Sequence, residues 1–147
     1  MAITQAIANS FKKQLLEGEH NFSSSSGDVF KLALYVSTAT LNSATTSYTT
    51  SGEVPNPTGQ YSAGGGTLVN AGTSITTGTA KVDFNNLSFT GVTLTARGAL
   101  IYNTSATVAN AAVAALDFGG DKTATSGTFT IQFPAPTNSS AIIRISG

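Results

Sequence analysis

A chain of 147 residues with seven basic and seven acidic side chains and no net charge has little from which to build an acid–base active site. Its single histidine and its lack of cysteine argue against a catalytic triad and exclude disulfides and thiolate metal ligation. The basic residues are scattered from Lys12 to Arg144, so we expect no nucleic-acid binding, which needs clustered Lys and Arg. Abundant threonine and serine instead favour a β-rich, non-enzymatic protein that works through contact area.

No segment of the sequence resembles a membrane span or a secretory signal. A run of 18 apolar residues, which a transmembrane helix needs, does not occur, so we expect no membrane association. Lys12 and Lys13 follow the first apolar residues, whereas the charges of a secretory signal precede them. We therefore expect synthesis in a cytoplasm.

The first 17 residues predict a helix with one narrow apolar stripe at steps of four residues. Thr4 is the expected N-cap, and Gly18 stands where a helix stops. The helix either packs on its own domain or docks as an arm on a neighbouring subunit. We assign residues 1–22 to this helix or arm and residues 23–147 to a single β-sandwich domain. The stripe consists of Ile3, Ile7, Phe11 and Leu15.

The rest of the chain predicts about eight short strands, because apolar and polar residues alternate with period two between turn residues. The stretch Pro55 to Gly66 is rich in Gly and Pro and predicts a long loop, of the kind that is usually either functional or mobile. The expected fold is all-β: an antiparallel β-sandwich or jelly roll with a short N-terminal helix. The predicted strands lie at 30–36, near 48, at 67–69, 80–84, 87–102, 113–118, 128–133 and 141–145.

Few residues have a chemistry that a site would use. His20 lies near Glu17 and Glu19 at the end of the predicted helix. This position favours a role in which His20 complements the negative end of the helix dipole over a role as a metal ligand. The string from Asp117 to Asp121 reads as a glycine-containing turn, although a structural Ca²⁺ near it stays open. We assign no catalytic residue, no cofactor and no metal site.

Arg97 interrupts an otherwise neutral strand and allows two interpretations. It either pairs with an acidic residue inside the domain or with a carboxylate of a partner across an interface.

The chain resembles small structural proteins of tailed bacteriophages, in particular capsid cement or decoration proteins. The resemblance spans most of the chain and is strongest in "ARGALIY" and "LDFGGDK". Further strings that carry it are "ITQAIANSFKKQLLEGEHNF", "DVFKLALY", "GQYSAGGGTLV", "LTARGALIYN", "AALDFGGDKT" and "FTIQFPAPTNSSAIIRIS".

The resemblance implies a dimer or trimer that binds the major capsid protein on the outer surface of an icosahedral shell. Such a protein is located in the virion and stabilises the shell against the pressure of packaged DNA by binding only the assembled lattice. The alternative is a head-fibre or tail-associated module that binds a receptor or glycan through Tyr48 and Tyr61. The expected interface residues are Ile3, Ile7, Phe11, Leu15, Pro55, Pro57, Tyr61 and Arg97.

Overall fold

The computed structural model describes residues 2–55 and 60–147. Over these residues the chain is all-β apart from one short helix, as the sequence predicts. The elements are β1 (Ala6–Ile7), α1 (Asn9–Leu16), β2 (Phe30–Tyr35), β3 (Gly66–Thr67), β4 (Asn70–Thr76), β5 (Thr79–Phe84), β6 (Leu87–Asn103), β7 (Ala111–Ile131) and β8 (Ile143–Ile145). The strands form two antiparallel sheets, with strand orders β1-β7-β6-β2-β3 and β4-β5-β8.

The long hairpin of β6 and β7 dominates the fold and has two parts. In the part next to its connecting loop, Gly98–Asn103 pairs with Ala111–Asp117, and β2 and β1 flank the pair on either side. We call this part the anchored half. In the other part, 87–96 pairs with 122–131 alone among the described strands. We call this part the distal half.

A large bulge separates the two halves. Gly98 pairs with Asp117 and Ala96 with Lys122, so four residues of β7, 118–121, stand opposite Arg97 alone. Gly119 has φ of +80°, a conformation that glycine adopts without strain. Bulges bend a strand and increase its twist. The distal half therefore leaves the direction of the anchored half.

The hydrophobic core joins residues of both sheets. Aromatic rings form a continuous chain from the five-stranded sheet to the three-stranded one. Phe30 of β2 stacks on Phe22 with ring centroids 4.4 Å apart and meets Phe84 of β5 at 5.8 Å. Phe84 in turn contacts Phe133 at 5.4 Å. Each of these rings is less than a tenth exposed.

The predicted N-terminal helix is wrong in its first half, because α1 begins only at Asn9. The spacing of four between Ile3 and Ile7 is coincidental, since Ile3 makes a parallel bridge with Leu41 and Ala6–Ile7 pairs as β1 with Ala114–Ala115 of β7. Thr4 is not the N-cap: Ala8 holds that position without a side-chain hydrogen bond, and the Thr4 N–H donates to the Leu41 carbonyl. The C-terminal stop at Gly18 is confirmed by its φ of +75°.

Most predicted strands are confirmed, including the uninterrupted β6. The predicted turn at Gly119–Gly120 is wrong, because β7 continues through the bulge and unites the two strands predicted at 113–118 and 128–133. The sequence also missed β4, whose Gly and Thr residues alternate weakly. The strand predicted near Tyr48 is wrong, because Ser47 makes only an isolated bridge with Ala111.

Candidate contact surface

The four apolar N-terminal residues that the sequence suggests as interface contacts pack against their own chain. Ile3 and Phe11 are 7% and 1% exposed and belong to the hydrophobic core. Ile7 and Leu15 are half-buried and pack against that core. The segment thus packs on its own domain. A role of this segment at an interface stays a prediction, and Ile3 and Phe11 have no exposed side chain to contribute to it.

The tyrosines proposed for glycan stacking are likewise engaged internally. Tyr61 is 2% exposed; its hydroxyl donates to Glu53 Oε1 at 2.8 Å and accepts from the Leu34 N–H at 2.9 Å. Glycan binding by these tyrosines therefore stays a prediction for which Tyr61 offers no exposed ring. Pro55 is exposed, and Pro57 lies outside the described residues.

Glu53 is the centre of the most elaborate polar cluster in the described residues. Tyr48 donates to its Oε2 at 2.6 Å, and the Gly64 N–H donates to its Oε1 at 2.7 Å. Tyr102 of β6 closes the cluster by donating to the Gly64 carbonyl at 2.6 Å, and burial raises the pKa of Tyr102 to about 12. The cluster fixes the segments around Tyr48 and Gly64 to the anchored half. We call it the tyrosine clamp.

Sequence reasoning missed the tyrosine clamp, although one signal pointed to it. Glu53 is the only charged residue between Lys31 and Lys81. A lone carboxylate within a neutral stretch needs donors if it is buried. The identity of those donors depends on tertiary contacts.

His20 is buried and connects Gln14 of α1 to Asn103 of β6 through hydrogen bonds. Its interpretation as a partner of the helix dipole is therefore wrong. Its Nδ1 lies 3.0 Å from Asn103 Nδ2 and its Nε2 lies 2.8 Å from Gln14 Oε1. Because the amide nitrogen of Asn103 can only donate, Nδ1 accepts and Nε2 carries the proton. Burial lowers the pKa of His20, against the opposing charges of Asp28 and Glu19.

Arg97 pairs within the chain, which is the first of its two predicted interpretations. Its Nε lies 3.1 Å from Asp117 Oδ1 across the bulge. The Gly119 N–H, which donates to the same oxygen, and then Arg97 lower the pKa of Asp117. The described residues hold no group of three His, Asp or Glu that could bind a metal ion, and the question of a Ca²⁺ near Asp117 and Asp121 stays open.

Beyond Lys122 at its boundary, the distal half presents an uncharged surface of hydroxyl groups. Its exposed Ser and Thr residues alternate with buried apolar residues along both strands. Ser88 contacts Thr130 at 3.0 Å between hydroxyl oxygens, and Thr95 contacts Thr123 at 2.9 Å. Neither 87–96 nor 123–131 contains a charged residue. We call this surface the hydroxyl face; it consists of Ser88, Thr90, Thr93, Thr95, Thr123, Thr125, Thr128 and Thr130.

Comparison with known proteins yields no relative: no family model, no curated protein and no solved structure matches the chain. Within residues 2–55 and 60–147, no helix has the length and apolar character needed to cross a membrane.

Proposed function

We propose that the chain is a non-enzymatic capsid cement protein, which binds the outer surface of an icosahedral phage shell and stabilises it. The hydroxyl face is the observation that carries this proposal. It offers eight exposed Ser and Thr residues on an open two-stranded ribbon, without a charge that binding would have to desolvate. Such a surface suits adhesion by contact area, because burying unpaired charges is costly whereas hydroxyl groups find partners in many geometries.

The proposed mechanism is linkage between binding and lattice stability. A protein that binds the assembled shell and not its dissociated subunits stabilises the shell by mass action. The major capsid protein is the proposed partner, and the virion is the proposed location. A homodimer or homotrimer would add multivalency, which raises avidity without any new type of contact.

The proposal is tested on particles of the virus whose genome encodes the chain. Particles lacking the protein should release DNA at a lower temperature and after milder osmotic shock than complete particles. Adding the purified chain back should restore their resistance. Equal survival of particles with and without the protein would refute the proposal.

Variants locate the contact on the surface. Thr90→Lys with Thr125→Lys places two charges on the hydroxyl face, and both side chains are exposed and outside any described side-chain hydrogen bond. We expect at least a tenfold loss of binding to shells. Thr38→Lys with Thr40→Lys, at two exposed loop positions, is the matched control and should bind normally. Equal binding by both variants would exclude the hydroxyl face as the contact.

We further propose that the two antiparallel sheets pack face to face as a β-sandwich or jelly roll. Support comes from the ring contact between Phe30 of the five-stranded sheet and Phe84 of the three-stranded sheet. An experimental density map in which the two sheets do not stack would overturn this assignment.

A further inference from the structure

β7 and the residues that follow it line an open cleft at the bend of the strand. Phe118 and Phe129 are eleven residues apart in β7, and a straight strand would separate them by about 36 Å. Their ring centroids lie only 6.1 Å apart, so the strand curls back on itself. The cleft beside this contact has a volume of about 550 Å³, within the range of about 300 to 1,000 Å³ that is typical of small-molecule sites.

A carboxylate stands at one end of the cleft in a fixed position. Asp117 Oδ1 accepts from the Gly119 N–H at 2.9 Å and from Arg97 Nε at 3.1 Å. The backbone N–H of Asp117 donates to Gln5 Oε1 at 3.1 Å. Among the described residues, Asp117 Oδ2 and the amide nitrogen of Gln5 have no hydrogen-bond partner. They leave one acceptor and one donor at the cleft for a ligand.

The remaining walls combine aromatic and neutral polar groups. Phe118 is half-buried and supplies a partly accessible ring, while Thr128 and Gln132 are exposed. Lys122 is the only basic residue of the lining, which disfavours a phosphorylated ligand. The mixture of polar groups disfavours a purely apolar ligand as well. A sugar ring, with apolar C–H faces and a rim of hydroxyl groups that donate and accept, matches these walls.

We propose that this cleft binds a short stretch of neutral glycan, with Phe118 against a ring face and Asp117 accepting from sugar hydroxyls. The site lies away from the tyrosines that the sequence suggested for this role. The cleft shares Thr123, Thr128 and Thr130 with the hydroxyl face, but Asp117 and Phe118, on which this proposal rests, lie outside that face, so the proposal does not depend on the cement function.

An extended peptide is the competing occupant, since no described strand pairs with the outer edge of β7 beyond Ala115. Adding a strand requires a regular ladder of backbone groups. The register of β7 against β6 is broken at the bulge 118–121 and again between Ala124 and Gly127. The geometry therefore favours a ligand held by side chains over one held by the backbone.

The test is a binding screen of the full chain against immobilised neutral and acidic oligosaccharides, followed by titration calorimetry with each neutral oligosaccharide that binds. Asp117→Asn and Phe118→Leu should each weaken binding at least tenfold. Asp83→Asn, a carboxylate change outside the cleft, is the matched control and should leave affinity unchanged.

Several outcomes would overturn the proposal. These are the absence of binding to any neutral oligosaccharide at millimolar concentration, and binding that neither cleft variant weakens. Binding of an alternating Thr-Val octapeptide in place of a sugar would also overturn it and assign the edge of β7 to a peptide. Failure here leaves the particle-stability test unaffected, so the two proposals are separable.

Discussion

The two halves of the β6–β7 hairpin share a chain and a partner but are buried differently. In the anchored half, every residue of Gly98–Asn103 is buried, because β2 and β7 flank the strand and other elements cover both faces. In the distal half, burial alternates along 92–96, and the outer side carries hydroxyl groups. Neighbouring elements, and not strand pairing itself, therefore decide which half serves stability and which half offers a surface.

The largest effect should come from removing core volume in the anchored half. Leu100 is fully buried, so Leu100→Ala should lower the free energy of unfolding by about 3 to 4 kcal/mol. Leu94→Ala, the matched change in the distal half, should cost about 2 kcal/mol because its surroundings relax more easily. Urea denaturation of both variants measures the difference. A larger loss at Leu94 would reverse the assignment of the two halves.

The tyrosine clamp should have the next largest effect. Glu53→Gln removes the charge that strengthens the hydrogen bonds from Tyr48, Tyr61 and the Gly64 N–H, and it turns one acceptor oxygen into an NH₂ group, so we expect the free energy of unfolding from urea denaturation at pH 7 to fall by about 2 kcal/mol. Asp83→Asn serves as the control and should change stability by less than about 0.5 kcal/mol. An equal effect of the two changes would show that the clamp contributes nothing specific.

The clamp also predicts a dependence on alkaline pH. Burial, followed by the charge of Glu53, raises the pKa of Tyr102 to about 12, above its ordinary value of 10.0. The folded state therefore favours the neutral phenol, and this stability is present below pH 10 and is lost as the pH rises toward 12. Ultraviolet absorbance should show tyrosine ionisation delayed in the native protein relative to the protein in urea. Coincident titration curves would contradict the buried environment.

The strand β6 is visible in the sequence, but the contrast between its two halves is not. Alternating residues predict one period-two stripe from Val92 through Tyr102, and this prediction fits 92–96 but not Gly98–Asn103, where both faces are buried. The bulge at Gly119 was not predictable, because a Gly-Gly pair also suits a turn and only the register with β6 distinguishes the two.

The candidate sites were less accessible to sequence reasoning. Apolar spacing at Ile3 and Phe11 correctly marks residues that need a partner surface, but it does not say whether that surface is internal. The tyrosines gather around Glu53 from separate loops and strands, through contacts that no local pattern records. Side chains with both apolar and polar parts satisfy a core and an interface equally well.

A smaller effect is expected where the N-terminal segment joins the end of the anchored half. The pKa of buried His20 lies below its ordinary value of 6.5, so the neutral form is favoured in the folded state. Its contribution to stability is present above about pH 6.5 and is lost as the pH falls. Protonation would also oppose the hydrogen bond that Asn103 donates to Nδ1, worth about 1 kcal/mol.

The free energy of unfolding, measured by urea denaturation between pH 7.5 and 5, tests this role of His20. The native chain should lose stability over this interval, and His20→Gln should flatten the slope, since Gln cannot titrate. Asp28 and Glu19 are the acidic groups facing His20, and they are the same in both proteins. An identical slope in both would place the acid sensitivity elsewhere.

The smallest effect should come from the hydroxyl face itself. Thr95→Val removes the hydroxyl that contacts Thr123 at 2.9 Å but keeps the β-branched shape. The free energy of unfolding should therefore change by no more than about 0.5 kcal/mol. Thr95→Ser, which keeps the hydroxyl, is the control for lost polarity. A loss above about 2 kcal/mol in the Val variant would mean that the hydroxyl groups hold the ribbon together. A near-neutral result would leave them available for contacts outside the chain, which is the property that separates the distal half from the anchored one.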